Sequence, residues 1–355
     1  GNPILDKEES QVLQTWYDFD GIKYFTFGKA SKLSSNKMIS IQTGDYLIGE
    51  YGLNLNANSF SISTWLRDVN TSVSPRTIMA KGDKLQLRLN TSNKIEVIVG
   101  GSTPVFTSNA TINDQKWHHL TFVFNSGSVI LYIDGVIDKS EQGIDPPSPN
   151  YNHFSIGAIY ENKTVSNHLL GEIDEVYIWN LALTQDQVNK LMNQEIEKNG
   201  ALVKGKTIAN DFTDLPWVYL AAYYNFNSFY GTTIEGQTNN RFFLRLNYLN
   251  KTKTLVQPQT APLPYVTRAE GDWDTPGTWL NNTVQNIPNS TSLKAEANVE
   301  GNIVQISHDI TSGNRDIKVL GLLIDTGKKL TIANPTVTTP IENNDGQGLR
   351  ITHYL

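Results

Sequence analysis

Short runs in which apolar and polar residues alternate with a period of two constrain this chain more than any other feature. Phe60-Ser-Ile62-Ser-Thr64, Leu85-Gln-Leu87-Arg-Leu89, Ile95-Glu-Val97-Ile-Val99 and Leu120-Thr-Phe122-Val-Phe124 each place their large side chains on one face. That spacing predicts half-buried strands. Val129-Ile-Leu131-Tyr-Ile133, then Asp134-Gly135, then Val136-Ile137 reads as a hairpin. Asp-Gly supplies the two positive-φ residues that a type I′ turn requires. Many short strands with hairpin connections predict an all-β, antiparallel sandwich rather than βαβ units.

One short helix interrupts the pattern. Thr184 followed by Gln187 makes a capping box, and Leu183 can staple to Val188. Val188, Leu191, Met192 and Glu195 keep helical spacing, and Asn199-Gly200 is the expected stop. After Gly200, residues 201–216 read as a connector, Trp217 to Phe226 as a very aromatic strand, and Arg241 to Tyr248 as a further strand. Pro258-Gln-Thr-Ala-Pro262-Leu-Pro264 predicts an extended linker and a domain boundary. Beyond it, Val304–Ile310, Ile317–Ile324, Lys329–Ile332 and Leu349–Leu355 are short strands at roughly even spacing. Such spacing suits the first rungs of a β-solenoid, with half of a second β-sandwich as the alternative. The expected division is 1–39 as a lead-in, 40–250 as the sandwich, 251–267 as a linker and 268–355 as a truncated solenoid-like module. The last strand runs to Leu355, so a fragment of a longer polypeptide is expected.

Composition removes several function classes. The 355 residues carry a formal net charge of -6 without a Lys/Arg cluster, so nucleic acid and anionic membrane are not expected partners. The longest apolar run, Val319 to Ile324 with Gly321 inside, falls far short of the ~20 residues that span a bilayer. The absence of cysteine removes disulfides, thiolate metal sites and cysteine nucleophiles together. A surplus of Asn, Thr, Ser and Tyr over Lys, Glu and Ala suits an extracellular β-rich surface.

Three stretches in this order resemble the laminin G-like, concanavalin A-like jelly-roll family. They are Asn58-Ser-Phe-Ser-Ile-Ser-Thr-Trp65, then Trp117-His-His-Leu-Thr-Phe-Val-Phe124 through Leu131-Tyr-Ile-Asp-Gly135, then Gly171-Glu-Ile-Asp-Glu-Val-Tyr-Ile-Trp-Asn180 running into Ala182-Leu-Thr. The resemblance implies a two-sheet jelly roll, often calcium-bearing, that recognises glycans or proteins. Text that opens such domains stands after the helix here, as Leu220-Ala-Ala-Tyr-Tyr-Asn-Phe-Asn227, Gly231-Thr-Thr233 and Asn239-Asn240, with a shorter echo at Tyr17-Asp-Phe-Asp-Gly21. Residues 217–250 are therefore expected to fold back as a permuted edge strand beside Ile173–Trp179, or to form a vestigial second copy. Gly271-Asp-Trp-Asp-Thr-Pro-Gly-Thr-Trp279 resembles modules of large surface proteins exported by type IX secretion in gliding bacteria. The implied protein is a secreted cell-surface adhesin whose partners are an extracellular glycan or surface ligand and, during export, the secretion machinery.

The resemblance also frames the chemistry. Laminarinase-type enzymes share the jelly roll and place acids at i, i+2 and i+4 on one strand, so that all three share a face. Here those positions are Glu172, Asp174 and Val176, with Glu175 pointing the other way. A valine at the acid/base position leaves the machinery incomplete, so no catalytic residue is assigned. His118 and His119 are adjacent on a strand and face opposite ways, so they cannot chelate together. Calcium takes oxygen ligands; if the fold-back strand docks as expected, the resemblance implies Asp174 with Asn225 and Asn227 as its ligands, with Asp18 and Asp20 competing for the same role and with Asp174 merely capping loop amides as the alternative. Trp65, Tyr132, Tyr177 and Trp179 are candidates for a sugar-stacking platform, or for core. The expected function is a non-enzymatic binding module, with a ligand-free structural spacer second and a glycoside hydrolase third.

Overall fold

The computed structural model describes residues 37–332, except 42–43, 50–52, 54, 56–57, 70–73, 149, 228, 241, 248–255 and 314, together with 349–354. The lead-in, with the Tyr17–Gly21 echo and the competing Asp18 and Asp20, lies outside these residues. The alternating segments form a sandwich of an eight-stranded and a nine-stranded sheet, antiparallel throughout. Their inward residues make one core in which Phe60, Ile62, Leu66, Phe122, Phe124, Ile173 and Ile178 face Leu47, Leu87, Val97, Phe154 and Leu244. The Asp134-Gly135 turn has φ of 54° and 76°, as a type I′ hairpin demands.

The fold-back region divides between the two sheets. Leu220–Tyr224 pairs antiparallel with Val176–Trp179 in the eight-stranded sheet, while Leu244–Asn247 pairs with Tyr46–Gly49 in the nine-stranded one. Trp217–Tyr219 is a 3-10 turn rather than strand, entered from Pro216.

The helix covers Gln185–Met192, and both halves of its capping box are formed. Thr184→Ala should therefore cost about 1 kcal/mol in a denaturant titration, because Gln187 N–H loses its acceptor; a change below 0.3 kcal/mol, an order-of-magnitude threshold at the floor for such caps, would contradict this. The expected stop at Asn199-Gly200 is corrected. The helix ends at Asn193, where the chain is engaged elsewhere: Asn193 Nδ2 donates to the Pro262 carbonyl, and the Glu195 carbonyl accepts from Lys206 N. Gly200-Ala201 instead turns the hairpin between Ile196–Asn199 and Leu202–Gly205.

The strands after the Pro-rich segment pair in parallel. Tyr265–Val266, Ile303–Ile306, Ile317–Ile324 and Leu349–Tyr354 stack in one sheet, and Gly271–Asp272, Ile310–Thr311 and Leu330–Thr331 in a second. Successive rungs of one coil pair this way, whereas a sandwich of hairpins would pair antiparallel. Trp273 and Trp279 meet edge to face at 5.0 Å in the coil's interior.

The Pro-rich segment is not a free linker. Val256–Pro258 extends the eight-stranded sheet beside Lys37–Ile39, and Ala261 and Leu263 are buried against Trp65, Trp117, Met192 and Val299. The Asn193 carbonyl oxygen of the side chain accepts from Asn302 Nδ2 and Ile303 N, and Trp117 N donates to the Val284 carbonyl. Sandwich, helix and solenoid thus share one interior at this joint.

Candidate functional site

Every outward residue of the eight-stranded sheet with a large ring is covered. Val123, Tyr132, Tyr177, Trp179 and Tyr223 lie under the helix and the hairpin that follows it, in contact with Leu183, Val188, Leu191, Val203 and Phe212. Trp65 and Trp117 lie under the solenoid joint. The platform candidates Trp65, Tyr132, Tyr177 and Trp179 are all 3% exposed or less, which makes them core. Alternation alone marks them as outside the sandwich; only the tertiary fold reveals what covers them.

The Gly171–Trp179 strand carries a bulge at Glu175, whose φ is 50°. On one side of the bulge Gly171–Ile173 pairs with Ile39–Ile41; on the other Val176–Trp179 pairs with Leu220–Tyr224. Asn227 closes the gap by accepting from Lys37 N at 2.7 Å. The bulge turns Glu175 toward Tyr177 and Tyr223, whose stacked rings are 4.6 Å apart and whose hydroxyls both donate to its Oε2. Asp174 is fully buried; its Oδ1 accepts from Glu175 N, while Oδ2 has no hydrogen-bond partner. Burial first, and the neighbouring carboxylate charge second, hold Asp174 and Glu175 well above the usual carboxylate range.

Calcium does not fit this arrangement as it stands. Asn225 Oδ1 accepts from Asn227 N, Asn227 Oδ1 is taken by Lys37 N, and Asn227 turns its amide nitrogen toward Glu195. Asp174 offers one free oxygen. Among the described residues no group of three or more His, Cys, Asp or Glu could hold a metal ion. Chelator should accordingly leave the melting temperature unchanged. A fall on chelation, restored by calcium and abolished in Asp174→Asn, would show that these side chains reorganise around an ion.

The carboxylates offered for hydrolysis do not share an open face. Glu172 pairs with Arg67 at 2.7 Å, Asp174 is buried beneath the covering layer, and Val176 lies in the sandwich core. The two histidines part as strand neighbours must. His118 is clasped by Asp134 at 2.7 Å and Asp114 at 3.0 Å. Burial disfavours its charge, but the two carboxylates outweigh burial and push its pKa up to about 10. His119 lies edge-on to Trp65 at 5.3 Å, and burial pushes it down to about 4, so it is neutral.

The outer face of the nine-stranded sheet carries rings that water reaches. Tyr46 and Tyr160 stack at 6.4 Å, His168 meets Tyr46 edge-on at 6.2 Å, and His153 meets Tyr160 at 5.4 Å. All four are partly exposed, and Tyr151 nearby in sequence is 90% exposed. His153 Nδ1 donates to the Gly49 carbonyl. Across the Tyr46–Gly49 pairing, Asn247 stands opposite Tyr46 and exposed Arg245 opposite Ile48, on the same face. Flat rings flanked by amide, imidazole and guanidinium groups suit a polar ligand with an apolar face. These residues come from four separate segments without a shared spacing, so no motif announces them.

Residues 42–189 match the model of a laminin G family within the concanavalin A-like lectin/glucanases superfamily. Among solved structures, a candidate carbohydrate-binding protein from Bacteroides ovatus superposes with a TM-score of 0.50 at 19% identity, over 64% of this chain and 61% of that one. A heptameric SAP-like pentraxin from Limulus polyphemus matches over 43% of this chain and 80% of its own, at 13% identity and a TM-score of 0.34. Domain 4 of the extracellular arabinanase AbnA from Geobacillus stearothermophilus, solved with arabinotriose, matches over 39% of this chain and 68% of its own, at 25% identity and a TM-score of 0.33. Comparison with curated proteins gives no match.

Proposed function

We propose that this chain is a non-enzymatic binding module of a large secreted cell-surface adhesin, and that the outer face of the nine-stranded sheet takes an extracellular glycan. The observation that carries the reading is the stacked Tyr46–Tyr160 pair with its histidines, left open to water while the rings of the opposite sheet are sealed. A pyranose presents C–H bonds on one face and hydroxyls around its edge. Tyr46 and Tyr160 match the first, and Asn247 and Arg245 the second. Two features support a role without turnover: Glu172 is neutralised by Arg67, and Asp174 is out of reach of any polysaccharide. The acidic chain suits neither nucleic acid nor anionic lipid, and no described helix is long and apolar enough to cross a membrane. Surface localisation and export through type IX secretion belong to this proposal and rest on the composition and on the Gly271–Trp279 resemblance.

Native electrophoresis through gels containing β-glucan, xylan, arabinan or pectin tests it. At least one polysaccharide should retard the protein, and Tyr160→Ala should weaken that retardation about tenfold, the equivalent of ~1.4 kcal/mol, with the melting temperature held. Retardation by none would leave the spacer reading. Release of reducing ends that Glu172→Gln abolishes would establish the hydrolase instead.

A further inference from the structure

Beside the bulge, one carboxylate holds two nitrogen groups, an amine and an amide. Glu195 accepts from Lys206 Nζ on Oε2 at 2.7 Å and from Asn227 Nδ2 on Oε1 at 2.6 Å. The Asn227 carbonyl oxygen in turn accepts from the backbone N–H of Lys37 at 2.7 Å. The carboxylate therefore stands between an amine and an amide, and the amide oxygen already faces a backbone N–H. Glu195 is 7% exposed, and Lys206 reaches it from the surface with its side chain 41% exposed.

We propose that Lys206 and Asn227 join in an intramolecular amide, with Glu195 carrying the proton. Neutral Lys206 Nζ attacks Asn227 Cγ, and the new C–N bond places negative charge on Oδ1, where the Lys37 N–H receives it. Glu195 takes the proton from Nζ through Oε2 and delivers one to Nδ2 through Oε1. The Cγ–Nδ2 bond breaks and ammonia leaves. The step needs no oxidant, metal or cofactor, and it lowers the mass of the chain by one ammonia. The charges facing Lys206 are those of Glu195 and of Glu175. The product pins the segment after the Ile196–Gly205 hairpin to the sheet edge at the residue that closes the gap beside Lys37. This site is independent of the glycan face.

Intact-mass measurement on the purified full chain, before and after incubation at mildly alkaline pH, tests the proposal. The wild type should fall below its sequence mass by one ammonia, and a tryptic digest should yield a branched peptide joining Lys206 to Asn227. Lys206→Arg keeps the ion pair with Glu195 but has no transferable amine, so it should retain its full mass. Glu195→Gln should do the same while its circular dichroism remains that of the wild type. Full mass in the wild type after incubation overturns the proposal. So does an ammonia loss that persists in Lys206→Arg, which would place the reaction elsewhere, as at Asn199-Gly200.

Discussion

Trp65→Ala should destabilise the chain by about 3–5 kcal/mol and should do so in a single unfolding transition that includes the solenoid. Trp65 is 1% exposed on the outward face of the Ser59–Asp68 strand. Its Nε1 donates to the Met192 carbonyl at 2.7 Å, at the last turn of the helix, and its ring lies on His119. Trp117, Met38, Ala261, Leu263 and Val299 complete the cluster, so the sandwich, the Pro-rich strap and the solenoid all lose packing together. A second apolar contact between the modules, Ile208 with Ile303 and Leu320, reinforces the coupling. Differential scanning calorimetry checks it. A loss under 1 kcal/mol, an order-of-magnitude threshold well below the usual cost of such a truncation, or two transitions of which only the first moves, would mean that the joint does not transmit stability.

Stability should decline as pH rises from about 6.5 to about 10, and His118→Gln should remove much of that decline. The folded state holds His118 near 10 against an unfolded value of 6.5. A raised pKa means that the folded state binds a proton the unfolded state releases in that interval. The contribution is complete below 6.5 and is lost as pH passes through 10. It is on the order of a few kcal/mol. The buried Asp174 and Glu175 also have raised values and act in the same sense, so the difference between wild type and variant isolates the histidine. His119, lowered to about 4, has the opposite consequence on the acid side, where its protonation favours unfolding. Urea titrations across the pH range measure both limbs. Parallel wild-type and His118→Gln curves above pH 6.5, the ordinary histidine value, would show that the Asp114–His118–Asp134 cluster is not charged.

The sandwich and the helix start were readable because their signals are local. Period-two alternation fixes which residues of Phe60–Thr64 or Leu120–Phe124 meet the core, and a capping box needs only Thr184 and Gln187. The parallel pairing of Ile303–Ile306 with Ile317–Ile324 was foreshadowed by even strand spacing alone. The strap from Val256 to Pro264 was not readable. Its prolines favour an extended chain, which is also what an edge strand and a buried crossing require, and its partners Trp65 and Trp117 lie far away in sequence. The same limit hid the open aromatic face. Tyr46, His153, Tyr160 and His168 enter from different strands and loops, whereas the more conspicuous aromatics at Tyr177 and Trp179 are spent on packing. For calcium, residue type and neighbourhood in the fold both pointed to Asn225 and Asn227, but the direction of each amide depends on hydrogen bonds to Lys37, Glu195 and the adjacent backbone.

The most direct measurement of the central claim is a crystal structure of the full chain soaked with an oligosaccharide from whichever polysaccharide retards it. The account predicts a sugar ring against Tyr46 or Tyr160 on the nine-stranded sheet, with hydroxyls reaching Asn247 or Arg245, and an intact glycosidic bond. Density for the sugar at the solenoid, or at the bulge beside Glu172 and Asp174, with the Tyr46–Tyr160 face empty, would contradict it.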